Sequence, residues 1–173
     1  MRSFITALVC VASLGAAIAA SSAASDMTRG ERKFLEIVAR HSMAEMQTGK
    51  IAEARGANKE VKNFGKLMAH DHGKGYDAVV QLAKAKGISL PGEPDAARWK
   101  EVDKLKTLSG AEFDRHYLDA VVKDHGKDVK EFQKMSRSAK DPDVKTFAKR
   151  TLPMLEGHLS MARDLSASLR KAK

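Results

Sequence analysis

Four long stretches of this chain repeat their apolar residues at the spacing of an α-helix, and connections of very unequal length join them. Residues on a helix are about 100° apart, so apolar positions three and four apart form a stripe that must be buried against a partner. The first stretch runs from about Thr28 to Arg55, with Phe34, Val38, Ser42, Glu45, Gly49 and Ala52 on one face, and stops at Gly56-Ala57-Asn58. The second begins at the cap residue Asn58 and reaches about Lys86, burying Val61, Gly65, Met68, His72, Val79 and Ala83 before Gly87. The third starts after Ser109-Gly110 and continues to about Ser138 through Phe113, Tyr117, Val121, Asp128, Phe132 and Met135. The fourth opens on Asp141-Pro142, a cap residue followed by proline at the first helical position. It buries Val144, Phe147, Thr151, Leu155, Ala162, Leu165 and Leu169, and Pro153 within it is expected to cause a kink.

The connections set the topology. The first and third loops are only a few residues long, so each joins an antiparallel helical hairpin. Between the hairpins lies Ile88 to Leu108, with Pro91 and Pro94 followed by a helical stretch around Ala96 to Lys106 that contains Trp99. A long helix here spans roughly 42 Å, and this connection reaches about 40 Å, enough to cross the bundle and make the second and third helices parallel. An all-α, ferritin-like four-helix bundle joins its two hairpins by such a crossover. The competing arrangement is an up-down bundle with the short helix across one end. Asp71-His72-Gly73-Lys74 recurs as Asp124-His125-Gly126-Lys127, which supports two similar helices without requiring duplication.

The N-terminus reads differently. Met1-Arg2-Ser3 gives a basic start, an apolar run follows from Phe4 to Ala20, and small-x-small sites stand at Ala17-Ile18-Ala19 and Ser22-Ala23-Ala24. This is the layout of a secretory signal over residues 1–24, cleaved after Ala19 or Ala24, with one helical domain over residues 25–173. The mature protein is then expected in the periplasm or outside the cell, with no transmembrane segment. The single cysteine, Cys10, lies inside the apolar run after Leu8 and Val9, so neither lipidation nor a disulfide is expected. Lys and Arg outnumber Asp and Glu by 31 to 22, but they are dispersed among acids and apolar positions. Nucleic-acid binding calls for a coherent basic stripe and stacking aromatics, and aromatic residues make up only 5% of the chain. The basic faces suit an envelope protein or an anionic membrane surface instead.

Several polar residues fall where packing alone would not put them. Glu45 sits near the middle of the first stripe, His72 is in line with Val61 and Met68, His125 shares a stripe with Val121 and Phe132, and His158 lies between Leu155 and Ala162. Each is near the middle of its helix, so the four are expected at one level of the core. Uncompensated burial of a carboxylate and three imidazoles costs several kcal/mol. They are therefore expected to meet one another, water, or one transition metal ion, and this donor set suits Zn, Fe, Mn or Cu. His41, Asp114 and Asp128 form a second rank of candidate ligands. Asp71 and Asp124 fall towards stripe edges, as partners of the histidines or solvent-facing charges. His70 and His116 read as surface or packing residues, and the methionines as core fillers.

Together with the signal-like start, Glu45, Met68-Ala69-His70-Asp71-His72, Phe113-Asp114 with Tyr117 and His125, and Leu152-Pro153 with His158-Leu159 resemble the family called domain of unknown function 4142. The resemblance covers nearly all of the mature chain and implies an exported, ferritin-like bundle without an assigned activity. The sequence departs from the di-iron pattern, which wants Glu-x-x-His on two helices. Ala69, Val122 and Leu155 stand three residues before His72, His125 and His158, so the bridging carboxylates of a ferroxidase are missing. The expected function is metal binding for storage, sensing or stress protection, and more a binding role than an enzyme. The alternative is an interaction bundle whose His and Glu residues form a hydrogen-bonded polar core.

Overall fold

The computed structural model describes residues 27–171, which form five helices and no strand. The expected secretory signal and both cleavage sites lie outside the described residues. Thr28 caps α1 (Arg29–Arg55) in a reciprocal capping box with Glu31, and Asn58 caps α2 (Lys59–Ala85) by accepting from the Glu60 amide. Gly87, at φ +65°, takes the left-handed conformation that ends this hairpin arm. Asp95 caps the short α3 (Ala96–Thr107), followed by α4 (Gly110–Ser138). Asp141 accepts from the amides of Asp143 and Val144 at 2.9 and 3.1 Å to start α5 (Pro142–Lys171), which continues through Pro153 as one helix. None of these helices is long and apolar enough to cross a membrane.

Hydrogen bonds between helix ends fix their directions. At one end, the buried Glu31 of α1 accepts from the amides of Lys140 and Asp141, while Lys86 at the close of α2 pairs with Asp141 and Asp143 at 2.8 and 2.6 Å. At the other, Asp114 at the start of α4 accepts from the amides of Ala57 and Asn58 at 2.9 and 2.8 Å. Helices α2 and α4 thus begin at one end and finish at the other, running parallel. Helix α3 lies along α1 in the same direction: Arg98 meets His41, and Arg55 donates to the Lys106 and Leu108 carbonyls. The connection therefore runs the length of the helices, rather than packing across one end.

The α1–α2 hairpin closes on glycine. A Cβ at Gly49 would stand 2.7 Å from the Ala69 nitrogen and the Gly65 oxygen, and one at Gly65 would meet Glu53 N and Gly49 O at the same distance. The core divides into two apolar clusters, one around Phe34, Leu35, Val79, Phe132 and Val144, the other around Val61, Met68, Phe113, Tyr117 and Ala162. Between them, all buried, lie Ser42, Glu45 and Thr48 of α1 with His72, His125 and His158. This polar layer at mid-height is the place where the fold departs from what apolar packing requires.

Candidate metal centre

Three helices deliver one imidazole each to this layer. His72 of α2, His125 of α4 and His158 of α5 are 4%, 0% and 2% exposed, and each offers a ring nitrogen within 4.8 Å of the others'. His72 Nε2 and His125 Nε2 are 3.3 Å apart. That is long for a hydrogen bond, whose N···O or N···N distance clusters near 2.9–3.0 Å. It matches the edge of a tetrahedron: two nitrogens each 2.0–2.1 Å from one ion stand about 3.3–3.4 Å apart.

The ring electronics favour ligation. Burial first, then the charges His125, His158 and His41 would carry, holds His72 well below the usual imidazole range. Burial, with His158 next, pushes His125 down to about 4 against the opposing pull of Asp128, Asp124 and the Val121 carbonyl. Burial also lowers His158, partly offset by its hydrogen bond to Asp71. Neutral imidazoles have one ring nitrogen free to donate a lone pair. His158 Nε2 donates to Asp71 Oδ2 at 3.0 Å, which leaves its Nδ1 as the lone-pair atom, buried and unpartnered. A carboxylate on the far nitrogen of a histidine is the arrangement that fixes tautomer and raises basicity at metal sites.

The other sequence candidates fall elsewhere. Glu45 stands outside the three-histidine group and lines a small cavity with Thr48, Arg98, Tyr117 and Asp124. Burial pushes its carboxyl up to about 8, with Arg98 pulling down and Asp128 and Asp124 pushing up, so it is mostly protonated at neutral pH. The stripe on α1 faces more than one neighbour, and at this height the Glu45 side is taken by α3 and α4. His41 and Asp128 pair with each other at 3.1 Å and share a cavity wall with His72. Asp114 lies at the far end of the helices, holding the start of α2. His116 bonds Glu101 at 2.8 Å, and the side chain of His70 is 54% exposed.

Arg98 was not visible as a site residue from sequence. It pairs with Asp124 and donates to His41 Nε2 at 2.9 Å, fastening α3 to α1 and α4. Only its place in a helical stretch was readable, because its partners lie 26 and 57 residues away.

Residues 16–165 match a family described as a domain of unknown function, DUF4142. The chain belongs to this DUF4142 family. No curated protein matches it. A crystal structure of a DUF305 fragment from Deinococcus radiodurans is similar in fold, with a TM-score of 0.70 over 84% of this chain and 98% of that one. At 18% identity the likeness concerns the fold alone. DUF4142 membership and this likeness agree with the all-helical architecture, and the candidate metal centre rests on the geometry of this chain's own histidines.

Proposed function

We propose that this DUF4142 protein is a ferritin-like bundle that binds one transition metal ion in its core through His72, His125 and His158, and that it does so in the periplasm after export. The observation that carries the reading is the convergence of three buried imidazoles from three helices, with ring nitrogens within 4.8 Å of one another. All three are held neutral by burial, and His158 is oriented by Asp71. An all-nitrogen donor set of this kind suits Zn, Cu or Fe better than the harder Mn. Parallel α2 and α4 with a crossover along the helices support the ferritin-like class, and the basic-apolar-small start supports export. Storage, sensing or stress protection are the roles such a site serves without bridging carboxylates.

The test is metal analysis of protein purified from the periplasm, followed by chelation, refilling and thermal unfolding. An ion that binds only the native state raises its stability. Wild type should take up one equivalent and gain thermal stability, whereas His125→Ala should lose both responses and keep most of its helicity. No metal-dependent shift in the wild type would sink the reading and favour a hydrogen-bonded polar core.

A further inference from the structure

His72, one of the three histidines, borders a chamber that the metal-binding reading does not use. It lies between α1, α2, α4 and α5, with His72, His41, Ser42, Gly75 and Asp128 at its polar end and Phe34 and Phe132 among its apolar walls. Its free space is about 30 Å³ for the centres of water-sized occupants. A water needs about 10–15 Å³ on this measure, so the chamber holds roughly two.

We propose that the ion held by His72, His125 and His158 keeps one coordination position for an exchangeable small anion, which enters from this chamber. The inference rests on the metal-binding reading and adds what the fourth ligand is. Structural sites of tetrahedral ions are closed by four protein ligands, whereas sites that exchange ligands keep three. Here the side-chain group contains three residues, and Glu45 stands outside it. Three neutral imidazoles leave the ion's charge uncompensated at first contact, which favours an anionic fourth ligand. The chamber's size limits that ligand to one to three heavy atoms: hydroxide, a hydroperoxide anion or azide.

The polar end is built to meet such a ligand. Arg98 Nη2 stands 2.9 Å from His41 Nε2 and 3.3 Å from Nδ1, and a guanidinium can only donate; donation to the nearer Nε2 leaves the ring proton on Nδ1. Nδ1 then donates to Asp128 Oδ1 at 3.1 Å, so the Arg98–His41–Asp128 chain is oriented in one direction. It holds the Asp128 carboxylate at the chamber wall, where it can accept a hydrogen bond from a protonated ligand. Gly75 keeps the space open. A Cβ there would meet only Ser42 Oγ, at 3.9 Å, so a longer side chain at this position grows into the chamber.

Cobalt(II) provides the probe, because its visible bands report coordination while the metal content is counted separately. Azide titrated into the cobalt-loaded mature protein should produce a saturable band change with one cobalt retained per chain. Gly75→Leu should keep the cobalt and weaken azide binding at least tenfold, and Ser42→Val serves as a second filling variant should Gly75→Leu fail to fold. Cobalt bound with no azide response would overturn the fourth-ligand inference and leave metal binding standing. An azide response equally strong in a folded filling variant would also overturn it, as would azide that strips the cobalt. No cobalt uptake at all would overturn both readings.

Discussion

The His158 imidazole donates through Nε2 to Asp71 Oδ2 at 3.0 Å, tying the middle of α5 to the middle of α2. His158 is 2% exposed on its side chain and Asp71 is 26% exposed, so the pair runs from the buried layer outwards. This bond selects the tautomer of His158 that leaves Nδ1 for an ion. Asp71→Asn should therefore lower metal affinity by about 10–100-fold in a chelator-competition titration. The metal-free variant should unfold within about 1–2 kcal/mol of wild type, because the partly exposed Asp71 position leaves room for water to replace the bond.

The contact of α1 with α2 makes a second, metal-independent prediction. Gly49→Ala would force its Cβ to 2.7 Å from two backbone atoms, Ala69 N and Gly65 O, neither of which can rotate away. The helices must separate, and the loss should be about 2–4 kcal/mol, read as a lower denaturant midpoint. An unchanged midpoint would mean that the hairpin is not packed this closely.

Much of this architecture is legible in the sequence. Helix ends are announced by local chemistry, and Asn58, Gly87 and Asp141-Pro142 stand where the caps and stops are. The face of α5 was harder. Phe147, Thr151, Leu165 and Leu169 were expected inward and are only half-buried, whereas Ala148, Leu159 and Ser166 lie at its centre. Small residues occupy the line of closest helix approach, and a pattern weighted by apolar size favours the flanks. The same limit applies to the centre: periodicity gives direction and height for His72, His125, His158 and Glu45, but not which neighbouring helix each will face.

Arg98 supplies the third prediction. It is the cation between Asp124 and His41, with its side chain 15% exposed, and it also moderates the burial of Glu45. Removing one member of a largely buried charged pair leaves the other uncompensated and costs about 3–5 kcal/mol. Arg98→Met should approach that loss. It should also expose residues 88–108 to limited proteolysis before the hairpins unfold, because the arginine fastens α3 to both. Proteolysis at wild-type rates would show that Val102 and Leu105, both fully buried, hold α3 without it.

Glu45 and His125 give the metal-free protein a pH dependence whose two limbs have opposite signs. Burial raises Glu45 from 4.5 to about 8, so between those values the native state holds a proton that the unfolded chain has released. Stability must then fall as pH rises through this window, by up to about 5 kcal/mol at 1.36 kcal/mol per unit. Burial lowers His125 from 6.5 to about 4, so between those values the unfolded chain holds a proton that the native state lacks. Stability falls as pH drops through that window, by up to about 3 kcal/mol, and the lowered His72 and His158 add to the acid loss. The opposing slopes overlap between 4.5 and 6.5, and with three lowered histidines against one raised carboxyl the metal-free protein should be most stable near the upper end of that window. Urea unfolding across pH should show Glu45→Gln removing the fall on the alkaline side and His125→Gln reducing the fall on the acid side. An alkaline limb that persists in Glu45→Gln would assign it to another group and place the Glu45 carboxylate in contact with water.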